Sequence, residues 1–117
     1  MKSYTDLEQS KKLAEVLPIE SADMYYMEIS CNNYTIGVLQ RLEKDMLLKQ
    51  AEYYKMFPCW SLSALINVLP NGIVINKDAG NGKYHVSSTH IGTYIKEDNP
   101  VDACVTMIEK LHELKML

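Results

Sequence analysis

The sequence predicts an α+β fold in which an antiparallel sheet of roughly three to five strands is covered by helices. The motif Leu-x-x-Val-Leu-Pro occurs twice, at Leu13–Pro18 and Leu65–Pro70, each time between a helix-like and a strand-like stretch. Proline lacks an N–H and clashes with the preceding turn, so each copy ends a helix. Helical patterns at both ends of the chain and two β-rich runs around a Gly/Asn turn complete the prediction.

The first helix is predicted between Thr5 and Pro18. Thr5 can cap it, and Glu8 three residues later fits a capping box. An apolar stripe at helical spacing follows, formed by Leu7, Leu13, Ala14, Val16 and Leu17. This helix is therefore expected to be one of those that cover the sheet.

The next segment predicts two strands and a helix. Residues 24–30 favour a strand, and residues 34–39 can return as a second strand with a bulge at Gly37. Residues 41–57 contain no Gly or Pro, so they favour a central helix that Pro58 would end.

The second half of the chain predicts a short helix and a β-meander. Ser61 can cap a helix that runs to Leu69, with its apolar face buried. That face comprises Leu62, Leu65, Ile66 and Leu69. The runs at 72–77 and 83–88 flank a Gly/Asn-rich turn and predict a hairpin, and 91–96 predicts a further strand.

The last helix carries the strongest helical signals. Asn99 can cap it, Pro100 suits its first turn, and Asp102 faces the positive helix end. Its predicted core stripe is Val101, Cys104, Val105, Ile108 and Leu111. A second apolar strip from Met107 to Leu114 exceeds the width needed to pack on a sheet. We expect this strip to contact another helix of the chain, a partner, or a second copy in a homodimer.

Composition limits the classes of function. The chain has 117 residues, the size of one domain, a net charge of −3, and 47% hydrophobic residues. The sequence shows no basic stripe, which disfavours nucleic acid, and no apolar run long enough for a membrane span. The N-terminal residues lack an apolar signal region, and the odd number of cysteines suggests reduced thiols. We therefore expect a cytoplasmic protein, without a cofactor or a metal site.

Three stretches of the chain carry a resemblance: Tyr4–Tyr26, Pro58–Pro70 and Asp98–Leu114. They are similar to small uncharacterised proteins of Bacteroidetes genomes, often encoded on mobile or prophage-like elements. Together they cover less than half of the chain. The resemblance implies a bacterial, cytoplasmic protein, and it brings no functional residue with it.

Cys59 and Trp60 form the pair that most suggests catalysis. A thiol at a helix start is favoured as thiolate, and papain-type cysteine peptidases present their nucleophile in a similar Cys-Trp step. His85 or His90 would then be the base. The Gly-rich stretch that precedes the nucleophile in that family is missing here, and the Cys-to-His spacing is much shorter. A cysteine-dependent hydrolase is thus an alternative hypothesis.

The aromatic residues favour binding. The chain has 8 Tyr, 1 Trp and 1 Phe, and Tyr suits surfaces that become buried only on binding. Tyr25 and Tyr26 are adjacent on a predicted strand, so one ring points away from the core. The main prediction is a non-catalytic domain that binds a protein partner or itself, using Tyr25, Tyr26, Trp60 and the Met107–Leu114 strip. A small-ligand pocket near Trp60 is a further alternative.

Overall fold

The computed structural model describes residues 2–30, 33–38, 56–89 and 92–117. The predicted α+β class is confirmed. The helices are α1 (Leu7–Val16), α2 (Leu62–Val68) and α3 (Pro100–Glu113), with a 3₁₀ turn at Ile19–Ser21. The strands are β1 (Met24–Ser30), β2 (Asn33–Val38), β3 (Met56–Cys59), β4 (Ile73–Lys77), β5 (Tyr84–Ser88) and β6 (Tyr94–Glu97).

The strands form two antiparallel sheets, whereas the sequence analysis placed them in one. The first sheet has the order β2-β1-β3, and the second has the order β4-β5-β6. Strand β1 pairs with β2 along one edge and with β3 along the other. Both edges of β1 are therefore occupied, which keeps it from pairing with the hairpin. The register irregularity expected at Gly37 lies instead between Glu28 and Ser30.

Strand β3 corrects the prediction of a helix ending at Pro58. Met56 and Phe57 are extended, and Pro58 lies within the strand opposite Tyr25. Proline is tolerated there because β3 is an edge strand, where a missing N–H need not break the ladder. The rest of the predicted helix, residues 41–55, lies outside the described residues.

The cap of α1 lies one residue later than predicted. Asp6, not Thr5, accepts the Gln9 backbone N–H at 2.8 Å, and the Gln9 side chain accepts the Asp6 N–H at 3.1 Å. Thr5 is fully buried, and its hydroxyl contacts Ser10 and the Trp60 N–H instead. The capping box is therefore Asp6–Gln9, because the Thr5 side chain is engaged elsewhere.

Both Leu-Pro steps end helices as predicted. Leu17 and Leu69 are the C-caps of α1 and α2, and both have extended backbone. Asn99 caps α3 by accepting the Asp102 N–H at 2.8 Å, again as predicted.

The core forms where α2 and α3 pack together and α3 lies against β5 and β6. The predicted stripe on α3 is buried in full. The fully buried core side chains include Leu13, Trp60, Leu65, Val86, Val101, Ala103, Cys104, Met107 and Ile108. Apolar burial on this scale stabilises a small domain and fixes the second sheet against the helices.

Candidate protein-interaction site

The structure places Cys59 and Trp60 in the interior. Cys59 ends β3, two residues before the Ser61 N-cap of α2, so its thiol is not at a helix terminus. Both residues have no exposed surface, and the indole N–H of Trp60 donates to the Ser21 hydroxyl at 2.9 Å. A ligand could reach Trp60 only by opening the core, so the geometry gives no support to a pocket there.

The surroundings of the Cys59 thiol disfavour a nucleophile. Burial raises its pKa, against hydrogen bonds from Thr5 and Ser10 that lower it. The thiol lies 3.4 Å from the Thr5 carbonyl oxygen and 3.5 Å from its hydroxyl. No histidine of the described chain contacts it, and His90 is outside the described residues. The Cys59 thiol therefore packs as a small, uncharged group.

His85 belongs to a polar cluster on the outer face of the second sheet. The Tyr94 hydroxyl lies 2.5 Å from Nδ1 of His85, and the two rings meet edge to face. Nε2 of His85 lies 3.5 Å from the Asp78 carboxylate. This carboxylate, imidazole and phenol could relay a proton, but more than half of the Tyr94 side chain is exposed on an open strand. The cluster lacks the enclosed setting that catalytic proton transfer needs. Its contacts instead hold the Tyr94 ring in place.

Tyr25 and Tyr26 point to opposite faces of β1, as predicted, and both are half-buried. A Cβ atom on Gly37 would lie 2.7 Å from the Tyr25 hydroxyl, so the Tyr25 ring covers Gly37 on the neighbouring strand. The Tyr26 hydroxyl donates to the Thr5 carbonyl oxygen at 2.9 Å. Desolvation raises the Tyr26 pKa to about 12. Both rings therefore have partners within the chain.

The predicted strip on α3 is not a continuous surface. Met107 has no exposed area, because it lies within the core between α3 and its neighbours. Leu114 is 46% exposed at the helix end. We expected this strip to contact another helix of the chain, a partner or a second copy. Met107 packs within the core of its own chain.

A groove lined mainly by aliphatic residues lies where α2 ends and β4 begins. Its volume is about 230 Å³. It is lined by Ile66, Leu69, Pro70, Asn71, Gly72, Ile73 and Ile75, none of which carries a charge. Ile66, which the sequence analysis placed on the buried face, is 45% exposed here. The helix is short, so Leu65 and Leu69 fill its buried face and Ile66 is displaced toward solvent.

Among the described strands, β4 lies at an edge of its sheet, and its register shows which of its backbone groups point away from β5. Thr89 donates its N–H to the Gly72 carbonyl, and Asp78 donates its N–H to the Lys83 carbonyl. Hydrogen-bonded pairs alternate along an antiparallel ladder. The backbone groups of Gly72, Val74, Asn76 and Asp78 therefore face β5.

The intervening residues Ile73, Ile75 and Lys77 direct their N–H and C=O groups away from the sheet. None of these groups bonds to another part of the described chain. Ile73 and Ile75 also line the groove, so the open backbone edge and the apolar groove are adjacent. An extended peptide needs this combination in order to add a strand.

The other edge of this sheet differs in character. Strand β6 carries the exposed Lys96 and the acidic Glu97. Charged side chains on an edge strand oppose pairing with another chain. Strand β4 has one such residue, Lys77, at its end, whereas its first three residues, Ile73–Ile75, are aliphatic and uncharged. The two edges of the sheet are thus not equivalent as docking sites.

Comparison with protein-family models, with curated proteins and with solved structures found no match. Within the described residues, no group of three or more His, Cys, Asp or Glu could hold a metal ion. In that same part of the chain, no helix is both long and apolar enough to cross a membrane. The resemblance to Bacteroidetes proteins stays a prediction.

Sequence reasoning missed the groove residues and the open edge. It predicted β4 as a hairpin strand, but the pattern Ile-Val-Ile does not say whether such a strand is central or at an edge. One signal was available: Ile66 makes α2 more apolar than one buried face requires. This surface could have been identified from the extra apolar residue on α2, because a Pro-Asn-Gly turn and an aliphatic strand follow it directly.

Proposed function

We propose that this protein is a non-catalytic interaction domain that binds an extended segment of a protein by strand addition at β4. The observation that carries the proposal is that the outward backbone groups of Ile73, Ile75 and Lys77, which lie beside the groove, have no partner within the described residues. In this mode of recognition, main-chain hydrogen bonds supply affinity and a pocket for alternate side chains supplies selectivity.

The lining of the groove defines the chemistry of the segment. The groove presents mainly aliphatic side chains, one amide at Asn71 and no charge, and a charged group would lose part of its hydration there without gaining an oppositely charged partner. The bound segment therefore has aliphatic side chains at alternate positions, facing α2. A bacterial, cytoplasmic location belongs to the same proposal, and the free thiols of Cys59 and Cys104 accord with a reducing compartment.

The test is an NMR titration of the ¹⁵N-labelled chain with the synthetic peptide acetyl-KTITITK-amide. We expect chemical-shift changes at the amides of Ile73, Ile75 and Lys77 and at the groove. The control peptide is N-methylated at alternate residues, which removes the donors that would face β4. No shifts at roughly 1 mM peptide, a weak affinity by any standard, or equal shifts with the methylated peptide would refute the proposal.

Two substitutions of matched exposure locate the binding surface. Ile66 is 45% exposed and lines the groove, whereas Leu114 is 46% exposed at the end of α3. Ile66→Glu should weaken peptide binding by about tenfold or more, because it places a charge in the groove. Leu114→Glu adds the same charge elsewhere and should leave the affinity within about twofold.

A further inference from the structure

The imidazole of His85 lies beside a tyrosine on the outer face of the second sheet. The phenol oxygen of Tyr94 is 2.5 Å from Nδ1 of His85 and 3.3 Å from Nε2, so Nδ1 is the nearer nitrogen. A nucleophile within hydrogen-bond reach of a base, which a third group orients, is the arrangement used in covalent chemistry. We propose that Tyr94 is a covalent modification site, whose phenol oxygen accepts an acyl group from an activated carboxylic ester with His85 as the general base.

The Asp78 carboxylate is the third group of this arrangement. Its Oδ2 lies 3.5 Å from Nε2 of His85, where a negative charge favours a proton on that nitrogen. Its Oδ1 accepts the Gly80 N–H at 2.7 Å, and this hydrogen bond lowers the Asp78 pKa and fixes the carboxylate in the turn. With the proton on Nε2, the lone pair of Nδ1 can take the proton of the Tyr94 phenol. Asp78 is a positioning residue, because it acts through His85.

The Tyr94 side chain is accessible to a reagent. Tyr94 is 55% exposed, whereas all other tyrosines that the structure describes are half-buried. Its ring meets the His85 ring edge to face, with the centroids 5.1 Å apart. This contact holds the phenol oxygen close to Nδ1 although the ring itself is open to solvent. Access and a nearby base therefore occur together at this tyrosine.

The neighbouring side chains favour an aliphatic acyl group. Ser87 lies opposite Tyr94, and Val74 lies opposite Ser87 on the next strand. Directly opposed residues share one face of an antiparallel sheet, so these three cross the outer face in one row. Val74 is 39% exposed, and two strand spacings place it about 10 Å from Tyr94. It offers an apolar surface that a short hydrocarbon chain on Tyr94 could cover.

The reaction is a single acyl transfer. The phenol oxygen of Tyr94 forms a bond to the ester carbonyl carbon, and the bond from that carbon to the leaving oxygen breaks. The phenol proton passes to Nδ1 of His85 and then to the leaving group. Such a transfer needs only a nucleophile and its base, whereas turnover also needs an enclosed site that stabilises and cleaves the acyl intermediate. The described residues form no enclosure around Tyr94, so the acyl group stays on the phenol.

Acylation by p-nitrophenyl acetate and p-nitrophenyl hexanoate, located by mass spectrometry of peptides, tests the proposal. The reference is the rate at Tyr94 in the same chain unfolded in urea, where the phenol is exposed but has no base. We expect Tyr94 of the native chain to react about tenfold faster or more. We also expect it to prefer the hexanoate, which the unfolded chain should not. A native rate equal to or below the unfolded rate would overturn the proposal, and a native chain without the hexanoate preference would overturn the aliphatic class.

Two substitutions separate the base from the apolar surface. His85→Gln should remove the acceleration, because an amide can bond to the phenol but cannot take its proton. Val74→Asn should remove the preference for the hexanoate and leave the rate with the acetate within about twofold. Circular dichroism checks that both variants are folded. An unchanged rate in His85→Gln would contradict the role of the imidazole.

The ring ¹⁵N chemical shifts of His85 test the positioning role of Asp78. In the neutral imidazole of the unsubstituted chain, we expect the proton on Nε2. Asp78→Asn retains an acceptor for the Gly80 N–H, but its amide can donate to Nε2 and favours the other tautomer. This variant should therefore move the proton to Nδ1 and slow acylation of Tyr94 by about tenfold. A proton on Nδ1 in the unsubstituted chain would show that His85 cannot act as the base.

Discussion

A single buried threonine connects three separate parts of the chain. The Thr5 hydroxyl accepts the Trp60 backbone N–H at 3.1 Å and lies 2.8 Å from the Ser10 hydroxyl. Its N–H donates to the Trp60 carbonyl, and its own carbonyl accepts the Tyr26 hydroxyl. Thr5 thus holds the N-terminal segment, α1, β1 and the end of β3 together. No part of its polar surface is exposed, so these bonds must replace water.

Removing this hydroxyl should destabilise the fold. Thr5→Val preserves the shape but removes the acceptor of the Trp60 N–H and the hydrogen bond between Thr5 and Ser10, which should lower the free energy of unfolding by about 1–3 kcal/mol. Thr5→Ser retains the hydroxyl and is the control, with a smaller loss from one missing methyl group. Urea denaturation measures both variants. Equal stability of wild type and Thr5→Val would contradict this role.

The sequence could not have predicted the role of Thr5. The pattern Thr-x-x-Glu from Thr5 to Glu8 fits a capping box as well as Asp6-x-x-Gln9 does. The choice between them depends on Trp60, which is more than fifty residues away in the chain. Likewise, the Cys-Trp step at Cys59 is compatible with catalysis or with packing, and only burial decides between the two.

At the level of elements, α3 ends in a Schellman motif with an unfavourable residue. Met116 donates its N–H to the Leu111 carbonyl, and Lys115 donates to His112. These are the two bonds of the motif, and they require a left-handed residue at Lys115, where φ is 59°. Glycine adopts this conformation without steric cost. A residue with a Cβ adopts it only at a steric cost, because the Cβ crowds the following carbonyl oxygen.

Lys115→Gly should therefore stabilise the protein by about 1 kcal/mol. Lys115→Ala is the matched control, because it removes the same charge and retains the Cβ, and it should show no such gain. Thermal denaturation of both variants measures the difference. If alanine stabilises as much as glycine, lost charge and not backbone strain is the cause.

A carboxylate network connects α1 to the start of α3. Lys2 and Gln9 each donate to Asp102 at 2.8 Å, and Asn99 donates at 2.7 Å. Burial opposes the charge on Asp102, but these hydrogen bonds outweigh it and lower its pKa below the ordinary 3.8. Burial likewise opposes the charge on Lys2, but hydrogen bonds to Asp102 and Asp6 raise its pKa above the ordinary 10.5. The network is thus fully charged across the neutral range.

The pKa directions give a pH-dependent prediction. A carboxyl group with a lowered folded pKa contributes stability above its unfolded pKa, and that contribution is lost as pH falls through the folded value. Asp102→Asn should therefore cost roughly 1–2 kcal/mol at pH 7, and this cost should shrink as pH falls below 3.8. Asp98→Asn, at an exposed ion pair with Lys83, is the control and should change little. Denaturation at pH 7 and pH 3 measures both, and a cost that does not depend on pH would count against the network.

Two adjacent positions in β4 test the assignment of inward and outward backbone groups. The N–H of Asn76 faces β5, whereas the N–H of Lys77 faces the open edge. Asn76→Pro should therefore destabilise the fold by about 3 kcal/mol, and Lys77→Pro should cost far less. Both side chains are exposed, so lost packing is not the difference. Equal losses in urea denaturation would show that the register is wrong.

Local signals predicted the elements that depend on local contacts. Asn99, Pro100 and Asp102 mark the start of α3, and the Gly/Asn turn defines the β4–β5 hairpin. The sequence analysis missed strand β3 for two reasons. Pro58 was interpreted as the end of a helix, and the pairing of β3 with β1 joins distant parts of the chain. Caps and turns are local in sequence, whereas sheet membership is not.

At the level of the whole molecule, the described strands form two small sheets, and β4 lies at an edge of the second. The sequence predicted a binding domain that uses Tyr25, Tyr26, Trp60 and the Met107–Leu114 strip, but Trp60 and Met107 are fully buried. Hydrophobic periodicity identifies a helix with more apolar residues than one buried face needs, but it does not show whether the extra residues contact another element. The extra apolar residues on α3, such as Met107, lie largely in the core. The extra apolar residue on α2, Ile66, is exposed beside the outer edge of β4.

Residue-resolved hydrogen exchange along β4 tests the central claim most directly. In dilute protein, the amides of Val74 and Asn76 should be protected by β5, while those of Ile73, Ile75 and Lys77 should exchange nearly as fast as in an unfolded chain. Protection of these three should rise on addition of acetyl-KTITITK-amide. Protection of Ile75 and Lys77 in dilute protein without peptide would show that the edge is already covered, and it would contradict strand addition at β4.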